Sequence, residues 1–111
     1  MLKNFVTSLH QSTKRNYLAR MNDNKVDCMI ISKKYGKEYW DGNRRYGYGG
    51  YKFIPGYWKG VAQALIKDYK LNNESKIIDL GCGKAYLLHE IKKILPCINM
   101  VGIDISTYAI D

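Results

Sequence analysis

The fold is indicated by residues 79–85, which read Asp-Leu-Gly-Cys-Gly-Lys-Ala. They follow the apolar run 76–78 and precede residues 86–91, whose Leu and Ile spacing is typical of a helix. A second apolar run, residues 100–103, ends at Asp104. A strand, a glycine turn, a helix and a second strand that ends in an acid form the layout of a nucleotide-binding βαβ unit.

The glycines and the closing acid have separate roles in such a unit. Glycine lets the backbone come close to a ligand at the N-terminus of a helix. The acid accepts hydrogen bonds from ribose hydroxyls, and Asp104 follows Gly83 by 21 positions, close to the roughly 20 expected. We therefore expect residues 76–80 and 100–104 to be adjacent parallel strands, joined by a right-handed crossover through a helix at about 84–95.

Small departures from known nucleotide-binding sequence motifs reduce the number of ligand classes that fit this turn. A dinucleotide site has a third glycine where this chain has Tyr86, and no diphosphate-binding Lys-Ser/Thr pair follows the turn. An acid, Asp79, precedes the first glycine by two positions and would repel a diphosphate. The alternative is a tight strand-to-helix turn with no ligand, but that leaves Asp79 and Asp104 at the two strand ends unexplained.

The pattern D-x-G-x-G-x-A resembles motif I of the class I S-adenosylmethionine-dependent methyltransferases, and the resemblance covers residues 76–111. It implies a Rossmann-like α/β fold and S-adenosyl-L-methionine as cofactor. By this resemblance Asp79 binds near the methionine ammonium, Asp104 holds the ribose hydroxyls, and Ile105 lies against the adenine. The implied cofactor-binding residues are Asp79, Gly81, Cys82, Gly83, Asp104 and Ile105.

The methyltransferase unit begins near residue 72 and includes only two strands and their crossover helix. Residues 106–110 resemble the start of a further helix, whereas members of the family continue for several more strands. We therefore expect an α/β fold truncated to its first βαβ unit, as the N-terminal portion of a methyltransferase. The expected division is an N-terminal helical region, residues 1–71, followed by an incomplete cofactor-binding domain, residues 72–111. An inactive fragment that retains only the cofactor turn is an alternative.

The N-terminal region shows three apolar stripes with helical spacing. Residues 2–21 approximate the first, and Asn22-Asp23-Asn24 interrupts it. The second is shorter and ends near Gly36. The third should pack against the sheet and stop at Asn72-Asn73. The first stripe consists of Leu2, Phe5, Val6, Leu9, Thr13, Tyr17, Leu18 and Met21. The second consists of Val26, Met29 and Ile30, and the third of Trp58, Val61, Ala62, Leu65 and Tyr69.

Residues 35–58 contain six of the ten glycines and most of the aromatic residues, so they are not expected to form a regular helix. Rings with glycine joints suit a lid over a flat ligand, and two arginines can hold an anionic group. A loop packed on the core and a surface that stacks RNA bases are the alternatives. The candidate lid or substrate residues are Trp40, Asp41, Arg44, Arg45, Tyr46, Tyr48 and Tyr51.

Residues 39–51 also have the arrangement Y-W-D-G-x-R-x-Y-G-Y-G-G-Y. This block resembles a subgroup of bacterial class I methyltransferases associated with surface-polysaccharide or other small-molecule pathways. It implies a small-molecule methyl acceptor. Tyr46, Tyr48 and Asp41 are candidates for a general base, but the sequence selects none of them, so the catalytic residue is not assigned.

The charge is unevenly distributed. Residues 1–71 carry 14 Lys and Arg against five Asp and Glu, whereas residues 72–111 carry four against five. The basic half fits either a solvated surface or an anionic partner, so a nucleic-acid methyltransferase is an alternative. The three cysteines match no zinc pattern, so no metal site is expected, and reduced thiols suit the cytoplasm. No apolar stretch approaches 18 residues, so no membrane partner is expected.

Overall fold

The computed structural model describes residues 3–11 and 24–111. The chain forms two compact units. The first contains the described residues up to 13 together with Ile54–Asp104, and the second contains the described residues of Lys14–Phe53 together with Ile105–Asp111. In chain order the elements are α1 (Thr7–Gln11), α2 (Lys25–Ser32), α3 (Lys37–Asp41), a 3₁₀ turn (Arg44–Tyr46), α4 (Lys59–Tyr69), β1 (Lys76–Leu80), α5 (Tyr86–Ile94), β2 (Asn99–Ile103) and α6 (Thr107–Ile110).

The two strands of the first unit confirm the expected parallel pair with a helix between them, and the right-handed sense of the crossover stays a prediction. β1 and β2 pair in parallel, with Lys76 opposite Asn99 and Leu80 opposite Ile103. Helix α5 connects them. The strands and the helix lie within one or two residues of the ranges that the sequence predicts, because a parallel pair needs a crossover and the chain between the apolar runs is only long enough for one short helix.

The core of the first unit lies on one face of this sheet. Ala62 of α4, Ile91 of α5 and Ile98 before β2 are almost fully buried against one another. Ile77 and Met100, which are opposite each other in the two strands, pack against this cluster. Since side chains alternate across a strand, one face of β1 and β2 is thereby assigned to the helices.

The other face of the sheet carries apolar side chains that the described residues leave exposed. Ile78 and Leu80 of β1 are 67% and 75% exposed, and Val101 and Ile103 of β2 are each 50% exposed. Parallel sheets are usually buried on both faces. Within residues 3–11 and 24–111 only one face is covered, because both packing helices, α4 and α5, share the Ala62 cluster on the same side.

The third apolar stripe forms α4, as predicted. Val61 and Ala62 are buried and Leu65 packs on the core, but Tyr69 is exposed. The helix ends at Tyr69 and not at Asn72-Asn73, because Lys70 adopts a left-handed conformation with φ 53° that stops it.

The second stripe forms α2, but its buried face was predicted wrongly. Val26, Met29 and Ile30 are exposed, whereas Cys28 is buried. The inward face carries Cys28 and, one turn later, Ser32, whose hydroxyl donates a hydrogen bond of 2.5 Å to the Tyr46 carbonyl. The neighbouring 3₁₀ turn therefore decides which side of α2 is buried.

The first stripe is only partly described. Helix α1 begins at Thr7, later than predicted, because the Asn4 side chain accepts a hydrogen bond from the Thr7 backbone N–H at 3.1 Å and caps the helix there. Phe5 and Val6 therefore precede the helix. The predicted stripe residues Leu2, Thr13, Tyr17, Leu18 and Met21, and the predicted break at 22–23, lie outside the described residues.

Residues 35–58, expected to lack a regular helix, contain one. Helix α3 occupies Lys37–Asp41 and the 3₁₀ turn follows at Arg44–Tyr46. The glycines are concentrated after Asp41, so residues 37–41 are free of them and can form a single helical turn. No helix in the described ranges has the length and apolar composition that crossing a bilayer requires.

Replacing Ile98 by Ala should lower the free energy of unfolding by about 2–5 kcal/mol, because the side chain is 1% exposed and its loss leaves a cavity beside Ala62 and Ile91. Ile78→Ala is the matched control. It removes the same atoms from a side chain that is 67% exposed and should cost less than about 1 kcal/mol. Urea denaturation followed by circular dichroism measures both, and equal losses would contradict the assigned core.

Candidate functional site

Backbone hydrogen bonds join the glycine turn to the end of β2. Gly81 and Gly83 have φ values of +77° and +58°, which residues with a Cβ adopt only at an energetic cost. The N–H groups of Gly81 and Cys82 both donate to the Ile103 carbonyl, at 2.7 and 3.1 Å. The turn is therefore a continuation of the strand pairing, and its shape depends on β2.

Asp104 lies against this turn, as the spacing of the motif predicts. One of its carboxylate oxygens, Oδ2, accepts a hydrogen bond of 2.8 Å from the Gly83 N–H. The acid that resembles a ribose-binding residue and the glycine that resembles a cofactor-cradling one are thus in direct contact. This bond fixes the direction of the carboxylate at the carboxyl end of the sheet.

A second carboxylate belongs to the same cluster. Asp79 is half-buried in β1, opposite Gly102 of β2. Burial, and after it the negative charge of Asp104, raises the pKa of the Asp79 carboxyl above its ordinary value of 3.8. Two like charges in a partly desolvated site disfavour each other. A cation placed between them would relieve that repulsion.

Cys82, between the two glycines, is held as a neutral thiol. Burial raises the pKa of the thiol, and the charges of Asp79 and Asp104 raise it further. A thiolate is the reactive form of cysteine, so these neighbours make Cys82 a poor nucleophile.

Gly102 is part of the site and was missed by the sequence analysis. A Cβ at this position would lie 2.7 Å from Cys82 Sγ and 3.1 Å from Leu88 Cδ1. Only glycine therefore lets the turn and α5 approach β2 this closely. The available signal was a glycine inside an otherwise apolar strand, which often marks a close approach.

Glu90 of α5 was also missed. It is almost fully buried, and its Oε1 accepts a hydrogen bond of 3.3 Å from the Gly56 N–H. Lys93, three residues later on the same helix, lies 3.7 Å from Oε2. This carboxylate joins α5 to the turn before α4 and so supports the helix that begins at the glycine turn.

The candidate lid residues Trp40 and Asp41 lie in the second unit. Trp40 is 5% exposed, and its indole N–H donates to Ser106 Oγ at 2.9 Å. Asp41 accepts hydrogen bonds from the Tyr51 N–H at 3.1 Å and from the Tyr108 hydroxyl at 2.6 Å. The bond to Asp41 raises the pKa of Tyr108. Both side chains therefore hold this unit together.

The remaining aromatic residues of the candidate lid surround Trp40. Tyr48 stacks on its ring with centroids 5.3 Å apart, and Tyr51 lies 5.2 Å from it. Arg44 donates to the Gly47 carbonyl, and the Arg45 guanidinium lies 5.6 Å from the Tyr46 ring centroid. Through these contacts the aromatic residues form a folded cluster around Trp40.

Several predicted roles concern the cofactor or the placement of one unit relative to the other. They are the lid role of residues 35–58, the contact of Ile105 with an adenine, and the choice of a general base among Tyr46, Tyr48 and Asp41. They stay predictions. Ile105 is 82% exposed. Within residues 3–11 and 24–111, no three His, Cys, Asp or Glu side chains are grouped to hold a metal ion.

Comparison with known proteins supports the interpretation of the βαβ unit. A family model described as a methyltransferase domain matches residues 71–111. The match spans β1, the glycine turn, α5, β2 and Asp104, so the resemblance drawn from motif I is confirmed over this segment. No curated protein and no solved structure matches the chain. The subgroup resemblance of residues 39–51 lies outside the matched segment.

Asp79→Asn should raise the melting temperature at pH 7. The folded state raises the pKa of Asp79, so it favours the neutral carboxyl, and stability is lost as the pH rises from 3.8 through the raised pKa. Asparagine stays neutral at every pH. The increase in melting temperature over the parent should therefore be largest at pH 7 and disappear below about pH 3.8, where Asp79 of the parent is also neutral. Thermal melts between pH 3 and 7 measure it.

Glu74→Gln is the matched control, because Glu74 is an exposed carboxylate on the loop before β1. Its effect on the melting temperature should be small at every pH. An Asp79→Asn variant that melts below the parent at pH 7 would contradict a raised pKa of Asp79 in the folded chain.

Proposed function

We propose that this chain, whose residues 71–111 match a methyltransferase domain, binds S-adenosylmethionine at the carboxyl ends of β1 and β2 and serves methyl transfer to a small-molecule acceptor. The observation that carries the proposal is the convergence of Asp79 and Asp104 on one glycine turn, with Asp104 bonded to Gly83. Ligands of open α/β sheets bind at this end of the strands.

The donor set fits this cofactor. S-adenosylmethionine carries a sulfonium and an ammonium cation, and two neighbouring carboxylates attract such charges. Burial, and after it the charge of Asp104, raises the pKa of Asp79, so a cation bound beside this carboxylate would favour its ionised form. A dinucleotide would instead bring a diphosphate against Asp79. The electrostatics therefore favour the sulfonium nucleoside over NAD.

Each residue of the cluster has a role in binding. Asp79 would hold the ammonium, directly or through water. Asp104 would accept hydrogen bonds from the ribose hydroxyls while Gly83 fixes its orientation. Gly81 leaves room for the ligand, since a Cβ there would meet no atom of the protein within 4 Å. The side chain of Cys82 would stay directed towards Gly102 and out of the ligand's path.

The bound cofactor supplies an electrophilic methyl group for an in-line displacement at carbon. The chain's contribution to such a reaction is largely to orient the reactants and to exclude water. Asp79 and Asp104 act on the cofactor alone in this account. If the acceptor is a hydroxyl, its proton needs a base within hydrogen-bond reach, and Tyr46, Tyr48 and Asp41 are the candidates from this chain.

A small molecule is the proposed acceptor, in a sugar or surface-polysaccharide context. The support is the resemblance of residues 39–51 to the bacterial subgroup. The second candidate is a nucleic-acid acceptor, which the excess of 14 basic over five acidic residues in the first 71 favours. Binding of an oligonucleotide that weakens steeply with salt would identify that class, whereas a neutral small acceptor would be insensitive to salt.

Asp104→Ala should weaken S-adenosylmethionine binding by about 1.5–3 kcal/mol, roughly 10- to 150-fold, which is the scale of hydrogen bonds to a charged group. Asp104→Asn should lose less, because an amide oxygen still accepts from the Gly83 N–H. Isothermal titration calorimetry on the 111-residue chain measures both.

Glu74→Ala is the control for net charge, because it removes one negative charge away from the turn. Its affinity should equal that of the parent. Equal affinity of Asp104→Ala and the parent would show that Asp104 does not bind the ribose. NADH binding in place of S-adenosylmethionine would overturn the proposed cofactor, and cofactor binding without any methyl transfer would favour an inactive remnant.

A further inference from the structure

The first unit contains a cavity that the proposed cofactor site does not use. It lies between residues 4–9 and the first turns of α4, and its volume is about 520 Å³. Small-molecule sites typically measure about 300–1,000 Å³. No residue of the glycine turn and neither Asp79 nor Asp104 lines it. The cavity is therefore a separate feature of the fold.

The segment that forms one wall is attached to α4 at both of its ends. Lys3 forms an ion pair of 2.5 Å with Asp68, near the end of α4. At the other end, the His10 ring meets the Trp58 ring edge-on at 6.3 Å, where α4 begins. The Phe5 ring lies 6.1 Å from the Tyr69 ring. The segment thus runs along α4 and is held at its ends, with the cavity between them.

Small residues on α4 keep the space between these attachments open. Gly60 and Ala64 are four residues apart, so they lie on the same face of the helix, and both line the cavity. A Cβ at Gly60 would meet no atom within 4 Å. Val61, which is buried, completes this wall. Larger side chains at positions 60 and 64 would fill the gap, so the cavity depends on these two residues.

The chemistry of the lining defines the ligand. The rings of Phe5 and Tyr57 and the side chain of Leu9 offer flat and apolar surface. The described residues that line the cavity include no Lys, Arg, Asp, Glu or His, in a chain of net charge +8. Within residues 3–11 and 24–111, no hydrogen-bond partner is found for the hydroxyls of Ser8 and Tyr57. These two groups are available to a ligand.

We propose that this cavity binds a neutral small molecule with a flat apolar body and one hydrogen-bonding group, such as an aryl alcohol or aryl amide. Burial of the flat body against Phe5 and Tyr57 supplies most of the affinity. Ser8 and Tyr57 bond the polar group and set its orientation. The described lining residues carry no charge and so disfavour a phosphate or carboxylate ligand, because an anion moved from water into uncharged surroundings loses hydration without a compensating partner.

The test uses N-phenyl-1-naphthylamine, an uncharged aromatic amine whose fluorescence rises in apolar surroundings, titrated into the full chain. Binding should saturate at one site. Ala64→Phe, which fills the cavity from α4, should weaken binding by at least about tenfold. Gln63→Phe is the matched control, since it adds the same ring to an exposed neighbouring position and should leave the affinity unchanged. Tyr57→Phe should weaken binding about two- to tenfold by removing one hydroxyl.

A second cavity-filling variant distinguishes loss of the cavity from misfolding of Ala64→Phe. Gly60→Leu also raises helix propensity, so α4 should form at least as well as in the parent, and circular dichroism checks this. Binding by both filled variants at parental affinity would overturn the proposal. So would loss of binding on Val101→Lys alone, which would place the dye on the exposed sheet face. The proposal would also fail if the parent chain is a dimer that binds no dye and if Ala64→Phe dissociates that dimer. The cavity would then be occupied by a second copy of the chain.

Discussion

The parallel pairing of β1 with β2 is the constraint on which the candidate site depends. Its register sets Asp79 opposite Gly102 and brings the Ile103 carbonyl under the glycine turn, where it accepts two backbone hydrogen bonds. The next residue, Asp104, then meets the Gly83 N–H at 2.8 Å. Because side chains alternate along a strand, a shift of one residue in this register would move Asp79 to the opposite face and separate the two acids. The geometry of the site is therefore a property of strand pairing more than of any single side chain.

The electrostatic consequence of this pairing links the fold to a function. Two carboxylates share one partly buried turn, and the pKa of Asp79 rises because the charge of Asp104 adds to the cost of burial. The protein tolerates this repulsion through local bonds, among them the one between Gly83 and Asp104. Functional sites often keep such unfavourable charge for a ligand of opposite sign. The proposed sulfonium nucleoside has that sign, and residues 71–111 match a methyltransferase domain.

The sequence predicted the parts of the structure whose signals are local. The two apolar runs, the glycines and the spacing between Gly83 and Asp104 were sufficient for the βαβ unit and for the contact at its end. Features that depend on distant segments were missed. Gly102 is required by Cys82, 20 positions earlier, and the buried side of α2 is the one with Cys28 because a neighbouring turn packs there. The segment that lines the cavity is likewise joined to α4 by an ion pair between residues 65 positions apart, which no periodicity reveals.

In the proposed complex with S-adenosylmethionine, the Asp79 carboxylate at the end of β1 lies beside the ammonium cation, and Asp104 after β2 holds the ribose. The most direct measurement is the pKa of the Asp79 carboxyl by carbon-13 NMR titration, in the free chain and in the chain saturated with S-adenosylmethionine. We expect a pKa above 3.8 in the free chain and a lower value in the complex, because the bound cation stabilises the ionised carboxylate. A pKa at or below 3.8 in the free chain, or one that saturation leaves unchanged, would contradict it.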